Sequence, residues 1–219
     1  MGKSNRKGNR KRRENFPKRS LDLGYYFIVT DTAETEENYI RGFKESLPEE
    51  LKGRIVVKVK QTRTDNLVEA CRDAAALAPQ YSEPWIVFDR DRVVGFDEII
   101  RRAEDEGIHA GWSNPCIEIW FDAYFGKIHQ HDNSVTCCRQ FSDTFQKKTK
   151  LEYRKSNKKI YEVLNRYGDE RRAISIAEQR LIQLEKDGLK KPSEMYSCTT
   201  LHRLIKEIRE KTEKAVVLR

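Results

Sequence analysis

Trp85-Ile86-Val87-Phe88-Asp89-Arg90-Asp91 is the stretch on which the fold turns. Four apolar residues run without a break into two carboxylates one residue apart. Pro84 precedes the run and charge follows it, the pattern of a strand buried on both faces. Ligands of open α/β sheets gather outside the carboxyl ends of such strands. Residues i and i+2 of an extended chain point the same way, so Asp89 and Asp91 are expected to share one side. Two carboxylates aimed at one point repel unless a cation stands between them, and Mg²⁺ suits such oxygen-rich sets. A lone D-x-D reads equally well as a solvated turn. A second acidic strand end, nearer the beginning of the chain, tips the balance.

That second end follows Tyr25-Tyr26-Phe27-Ile28-Val29, a strand by its aromatic and β-branched content. It runs into Thr30-Asp31-Thr32-Ala33-Glu34-Thr35-Glu36-Glu37. From Thr35, a plausible N-cap, the spacing of Tyr39, Ile40, Phe43 and Leu47 predicts a helix that Pro48 stops. In a parallel sheet both acidic ends lie on one edge, so Asp31, Glu34 and Glu36 are expected to face Asp89 and Asp91. Without a metal, such a gathering costs several kcal/mol in repulsion. Phosphoryl chemistry with divalent ions needs acids arranged this way.

The remaining pattern places these ends in order. Ile55–Val59 reads as a second strand, and a helix through Leu67, Val68 and Cys71 follows, with Thr64 or Asp65 as its cap. Another helix runs from Phe96 to a stop at Gly107, and Ile108–Trp112 is a fourth strand. Ser113-Asn114-Pro115 then hands over to an apolar helix, Cys116–Phe125. Strand and helix alternating four times predict an α/β fold, a mostly parallel sheet of about four strands flanked by helices. After a polar loop over 126–135, nothing reads as a strand. Helices are expected at Phe141–Thr149, Ser156–Tyr167, Asp169–Lys186 and Thr199–Lys211, rich in charged pairs. The expected organisation is a basic tail over 1–20, an α/β core over 21–135 and a helical extension over 136–219.

Charge is unevenly divided. Of the 219 residues, the first twenty hold nine Lys/Arg, Lys11, Arg12 and Arg13 among them, against Glu14 alone; the other 199 hold 34 bases and 34 acids. The tail therefore carries the whole net charge of +8, enough to meet a phosphate backbone without choosing a sequence. It is too polar to pack and is expected to be disordered until bound. No stretch reaches the roughly 20 apolar residues of a membrane span. Five cysteines without C-x-x-C spacing fit free thiols in a reducing compartment, and a soluble cytoplasmic protein is expected. His129-x-His131 with Cys137-Cys138 makes at best a poorly spaced zinc set.

Read together, these segments resemble the Toprim domain and, more narrowly, the RloB-like proteins of bacterial abortive-infection and restriction-linked loci. That family carries a basic N-terminus, a strand and C-E-G-x-x-T-E-x-x-Y, here Thr30 to Tyr39. F-D-x-D follows as Phe88-Asp89-Arg90-Asp91, and S-N-P-x-x-E-x-W as Ser113-Asn114-Pro115-Cys116-Ile117-Glu118-Ile119-Trp120. A looser T-x-x-H-x-L falls on Thr199 to Leu204. The S-N-P-x-x-E-x-W match is the most specific, and the resemblance spans nearly the whole chain.

The resemblance implies a Toprim-like, Mg²⁺- or Mn²⁺-dependent nuclease cutting RNA (tRNA included) or DNA, as the toxic effector of an anti-phage system. It also implies a neighbouring OLD-like or AAA-type ATPase as restraint or trigger; the sequence holds no G-x-x-x-x-G-K-[ST] of its own. An oligomer is compatible with the sequence. Asp31, Glu36, Asp89 and Asp91 are the expected metal ligands, one of them doubling as general base. Glu118, on an otherwise apolar helix, is either a further ligand or acid–base residue, or one half of an ion pair with an arginine such as Arg90. Arg90, Arg92, Asn114 and His202 are candidates for substrate contact; Asn114 is alternatively a helix N-cap, His202 an ordinary helix-face histidine, and the arginines solvated. Two departures favour a second reading, a scaffold that binds nucleic acid or an ATPase without cutting. Asp31 is about 1.5 Å shorter in reach than the family glutamate, and Thr32 replaces a glycine free to adopt positive φ.

Overall fold

The computed structural model describes residues 25–31, 34–49, 58–77, 82–91 and 93–217. The basic tail with Lys11, Arg12 and Arg13, Thr32, Arg92 and the first part of the expected second strand lie outside them. The elements in order are β1 (Tyr25–Thr30), α1 (Thr35–Glu45), β2 (Lys58–Gln61), α2 (Leu67–Ala76), β3 (Ser82–Asp89), α3 (Phe96–Asp105), β4 (His109–Asn114), α4 (Glu118–Tyr124), α5 (Ser134–Thr149), α6 (Ile160–Tyr167), α7 (Glu170–Lys186), β5 (Cys198–Thr199) and α8 (Leu201–Val217). The sheet order is β2-β1-β3-β4-β5. The first four strands pair in parallel, and the two-residue β5 is antiparallel on β4.

β3 is central and covered on both faces. Trp85 and Val87 enter one apolar core with Tyr26 and Ile28 of β1, Tyr39 and Phe43 of α1, Trp120 of α4, and Leu204 and Ile208 of α8. Ile86 and Phe88 enter a second core with Leu67 and Cys71 of α2, Phe96 and Ile100 of α3, and Leu181 of α7. The period-2 alternation of an extended chain thus divides one continuous apolar run between two layers.

The C-terminal helices complete both layers. Phe141 and Phe145 of α5 pack with α4 and α6 in the first core. Here three expectations need correction. α5 begins at Ser134, inside the expected polar loop, because Asn133 caps it by accepting the Thr136 N–H at 2.9 Å. β5 was not expected, being only two residues long; its Thr199 hydroxyl is tied to the Ser113 hydroxyl (3.1 Å) and to the Trp112 carbonyl (3.0 Å). Thr35 is the first helical residue of α1, with Glu34 in the cap position. No helix of the described residues is long and apolar enough to cross a membrane.

Candidate active site

A cavity of about 860 Å³ opens at the carboxyl edge of the sheet. Residues following each of the four parallel strands line it: Asp31 after β1, Arg63 to Asp65 after β2, Asp89 and Asp91 at and after β3, and Cys116 after β4. The chain leaves β1 toward β2 on one side and leaves β3 toward β4 on the other. The crevice between β1 and β3 is therefore the switch point where open α/β sheets bind ligands, and Asp31 and Asp89 flank it.

Glu36 enters from the first turn of α1 and is 2% exposed. Its carboxyl hydrogen-bonds that of Asp89, so the two acids meet directly. Two carboxyls in contact must share either a proton or a cation. Burial pushes both pKa values up; for Asp89 the nearby Glu36, Asp31 and Glu118 add to the rise. Asp89 also accepts the Ile117 N–H at 3.0 Å, which anchors the turn leading into α4. Burial, then Glu36, pushes Asp31 up to about 7. The Thr64 hydroxyl lies 3.4 Å from Asp31 Oδ2, whereas the buried Oδ1 has no hydrogen-bond partner among the described residues.

Asp91 does not extend the strand as expected. β3 stops at Asp89, and Asp91 has φ of +22° in an exposed turn. Its backbone N–H donates to the Pro115 carbonyl (2.9 Å) and its carboxylate accepts the Ser134 hydroxyl (2.5 Å). It still lines the cavity, but from the rim.

Glu118 opens α4 directly behind the cavity wall and is 0% exposed. Its Oε1 accepts the Tyr153 hydroxyl at 2.8 Å and lies 3.7 Å from Lys155 Nζ. The cationic partner is therefore Lys155, not Arg90. Lys155 lines the cavity, and although burial opposes its charge, Glu118, Cys138, Cys116 and Asp89 together raise its pKa. Sequence reasoning missed Lys155, which lies in a loop outside every motif. It missed Arg63 for the same reason. The cavity wall thus carries six carboxylates and two cations.

The other candidates stand elsewhere. The Arg90 guanidinium lies over the Tyr196 ring, 5.2 Å from its centroid. Asn114 caps no helix; it ends β4, fully buried, and its Nδ2 donates to the carbonyls of Pro192 (2.9 Å) and Ser193 (3.2 Å). His202 is buried, its Nδ1 lies 3.0 Å from the Thr199 carbonyl, and burial lowers its pKa to about 4. It borders a separate groove between α7 and α8. The imagined histidine–cysteine set is not assembled either: His129 pairs with Asp122, whereas Cys138 faces Cys116.

An open, mostly parallel sheet whose switch point is lined with carboxylates defines the class: an α/β protein with an acidic cavity at the carboxyl edge of its sheet. The family model described as RloB-like protein matches residues 26–208, and the chain belongs to that family. No curated protein and no solved structure matches it.

Proposed function

We propose that this chain is a Toprim-like, divalent-metal-dependent phosphodiesterase acting on nucleic acid. The observation that carries the proposal is the contact between Glu36 and Asp89 at the switch point, beside the Asp31 Oδ1 that has no hydrogen-bond partner among the described residues. Acids brought together at this cost fit a site that a cation completes. Asp31, Glu36 and Asp89 would hold Mg²⁺ or Mn²⁺, with Asp91 at the rim. Bound there, the ion would supply Lewis-acid polarisation of a phosphodiester and a more acidic water. Asp91, open to solvent and accepting the Ser134 hydroxyl, would accept the proton. Arg63 and Lys155 border the cavity and would receive phosphate oxygens. The basic tail would hold the polynucleotide nearby. The family resemblance further suggests a toxic anti-phage effector controlled by an OLD-like or AAA-type ATPase.

A binding scaffold without catalysis is the second reading. Besides Asp31 and Thr32, one feature favours it: among the described residues, no three carboxylates bring ligand atoms within 4.8 Å of one another.

Labelled tRNA, single-stranded DNA and duplex DNA incubated with Mg²⁺, Mn²⁺ or EDTA separate the two. Cutting that requires the ion and disappears in Asp89→Asn supports the enzyme. A chain that binds polynucleotide yet gives neither cutting nor a cation-dependent rise in Tm is the scaffold.

A further inference from the structure

We infer that Cys116, Cys138 and Glu118 form a second metal site, one that takes a thiophilic divalent cation of the zinc class. The site is independent of the phosphodiesterase reading. Cys116 follows Pro115 in the turn after β4, Glu118 begins α4, and Cys138 lies in the second turn of α5. The two Sγ atoms stand 3.9 Å apart, and a Glu118 carboxylate oxygen lies within 4.8 Å of both.

The spacing matches the ion. Two sulfurs bonded to one tetrahedral Zn²⁺ at about 2.3 Å are about 3.8 Å apart. The thiols already hold nearly that separation. Glu118 supplies the second, independent sign: it is 0% exposed, and its Oε2 has no hydrogen-bond partner among the described residues. The Tyr153 hydroxyl and the Lys155 ammonium stand at the other oxygen, Oε1, and a buried carboxylate oxygen left without a donor is costly. The donor set is sulfur-rich, which selects against Mg²⁺ and for zinc-like ions.

Access is provided by Cys116, which also lines the acidic cavity. No other described His, Cys, Asp or Glu joins the group at that distance. Three protein ligands leave a fourth position for water or for a ligand entering from the cavity, as in catalytic rather than structural zinc sites. Binding releases the two thiol protons. Two thiolates and one carboxylate around a dication leave one negative charge, which Lys155 faces from 3.7 Å off Glu118 Oε1.

The test is a Co²⁺ titration of the full chain, reduced and stripped with EDTA, in excess Mg²⁺. The expected result is one Co²⁺ per chain, with sulfur-to-cobalt charge transfer in the near ultraviolet and tetrahedral visible bands, both displaced by Zn²⁺. Cys116→Ser and Cys138→Ser should each lose the charge transfer, Cys71→Ser should keep it, and Glu118→Gln should weaken binding at least about 10-fold. Asp89→Asn should leave the cobalt spectrum intact, so failure of the nuclease reading is distinguishable from failure of this one. Absence of charge transfer in the folded wild-type chain would overturn the site, whatever the variants do. So would its persistence in the Cys116→Ser/Cys138→Ser double variant; the pair would then be an S–H···S contact alone.

Discussion

Glu36 and Asp89 meet carboxyl to carboxyl, one from the first turn of α1 and the other from the last residue of β3. Packing alone would not place an acid at either position, since each stands beside an apolar core residue of its own element, Tyr39 one turn on from Glu36 and Phe88 next to Asp89. Burial, with repulsion from neighbouring carboxylates, raises the pKa values of both carboxyls, and on the proposed reading a divalent cation would take the place of the protons.

The pH dependence follows from the raised carboxyl values. A carboxyl with a higher pKa in the folded state binds protons that the unfolded chain has lost. Its contribution is present below about pH 4 and disappears as pH climbs through the folded value, about 7 for Asp31. In EDTA, the Tm should therefore fall between pH 4 and pH 7, with a loss on the order of 4 kcal/mol from Asp31. Asp31→Asn should flatten that slope; an unchanged slope would refute the assignment.

Divalent cations should reverse the trend. At 100 times Kd, an ion binding only the folded chain adds about 2.7 kcal/mol. Thermal melts at pH 7.5 should show Mg²⁺ or Mn²⁺ raising the Tm. Glu36→Gln and Asp89→Asn should melt higher than wild type without the ion and lose the response to it. A variant that is both less stable and still ion-responsive would contradict the paired-carboxyl account.

Lys155 is the cation beside buried Glu118. Its side chain is 53% exposed, so water screens the pair and the cost of removal is moderate. Lys155→Ala should lose about 1–2 kcal/mol in urea unfolding, and adding Glu118→Gln should recover part of it. The amide can still accept from Tyr153 while removing the uncompensated charge.

Gly42 of α1 should resist the usual helix-stabilising substitution. A Cβ there would stand 2.6 Å from the Tyr161 Cβ of α6. Gly42→Ala, worth about 1 kcal/mol in favour of an open helix, should instead destabilise by about 1–3 kcal/mol through overpacking. Chemical denaturation decides the sign.

Deleting residues 1–20 removes the net charge of +8 and leaves the remaining chain neutral. Affinity for polynucleotide should fall at every sequence alike. The slope of log affinity against log salt should shrink by several units, close to one per lost phosphate contact. Equal slopes for both chains, measured by anisotropy, would remove the tail from the interface.

The sequence by itself determined the layered plan. An unbroken apolar run into Asp89 requires a strand covered on both faces, and helical spacing at Tyr39, Ile40 and Phe43 requires a helix after β1. Together they bring Asp31, Glu36 and Asp89 to one edge, because strand direction and side-chain period are local properties of the chain. Asp91 reaches the same cavity from a turn instead of the strand, since alternation ends where the strand ends. Only the tertiary structure decided which residues complete the site. Lys155 reaches Glu118 from a loop, Cys138 reaches Cys116 from a helix that begins inside an apparently polar loop, and β5 exists because β4 offers it an edge. Asn114 and His202 were drawn into the scaffold by partners at Pro192 and Thr199. Such contacts join segments with no shared period or spacing. They arise when packing the apolar faces brings distant loops together.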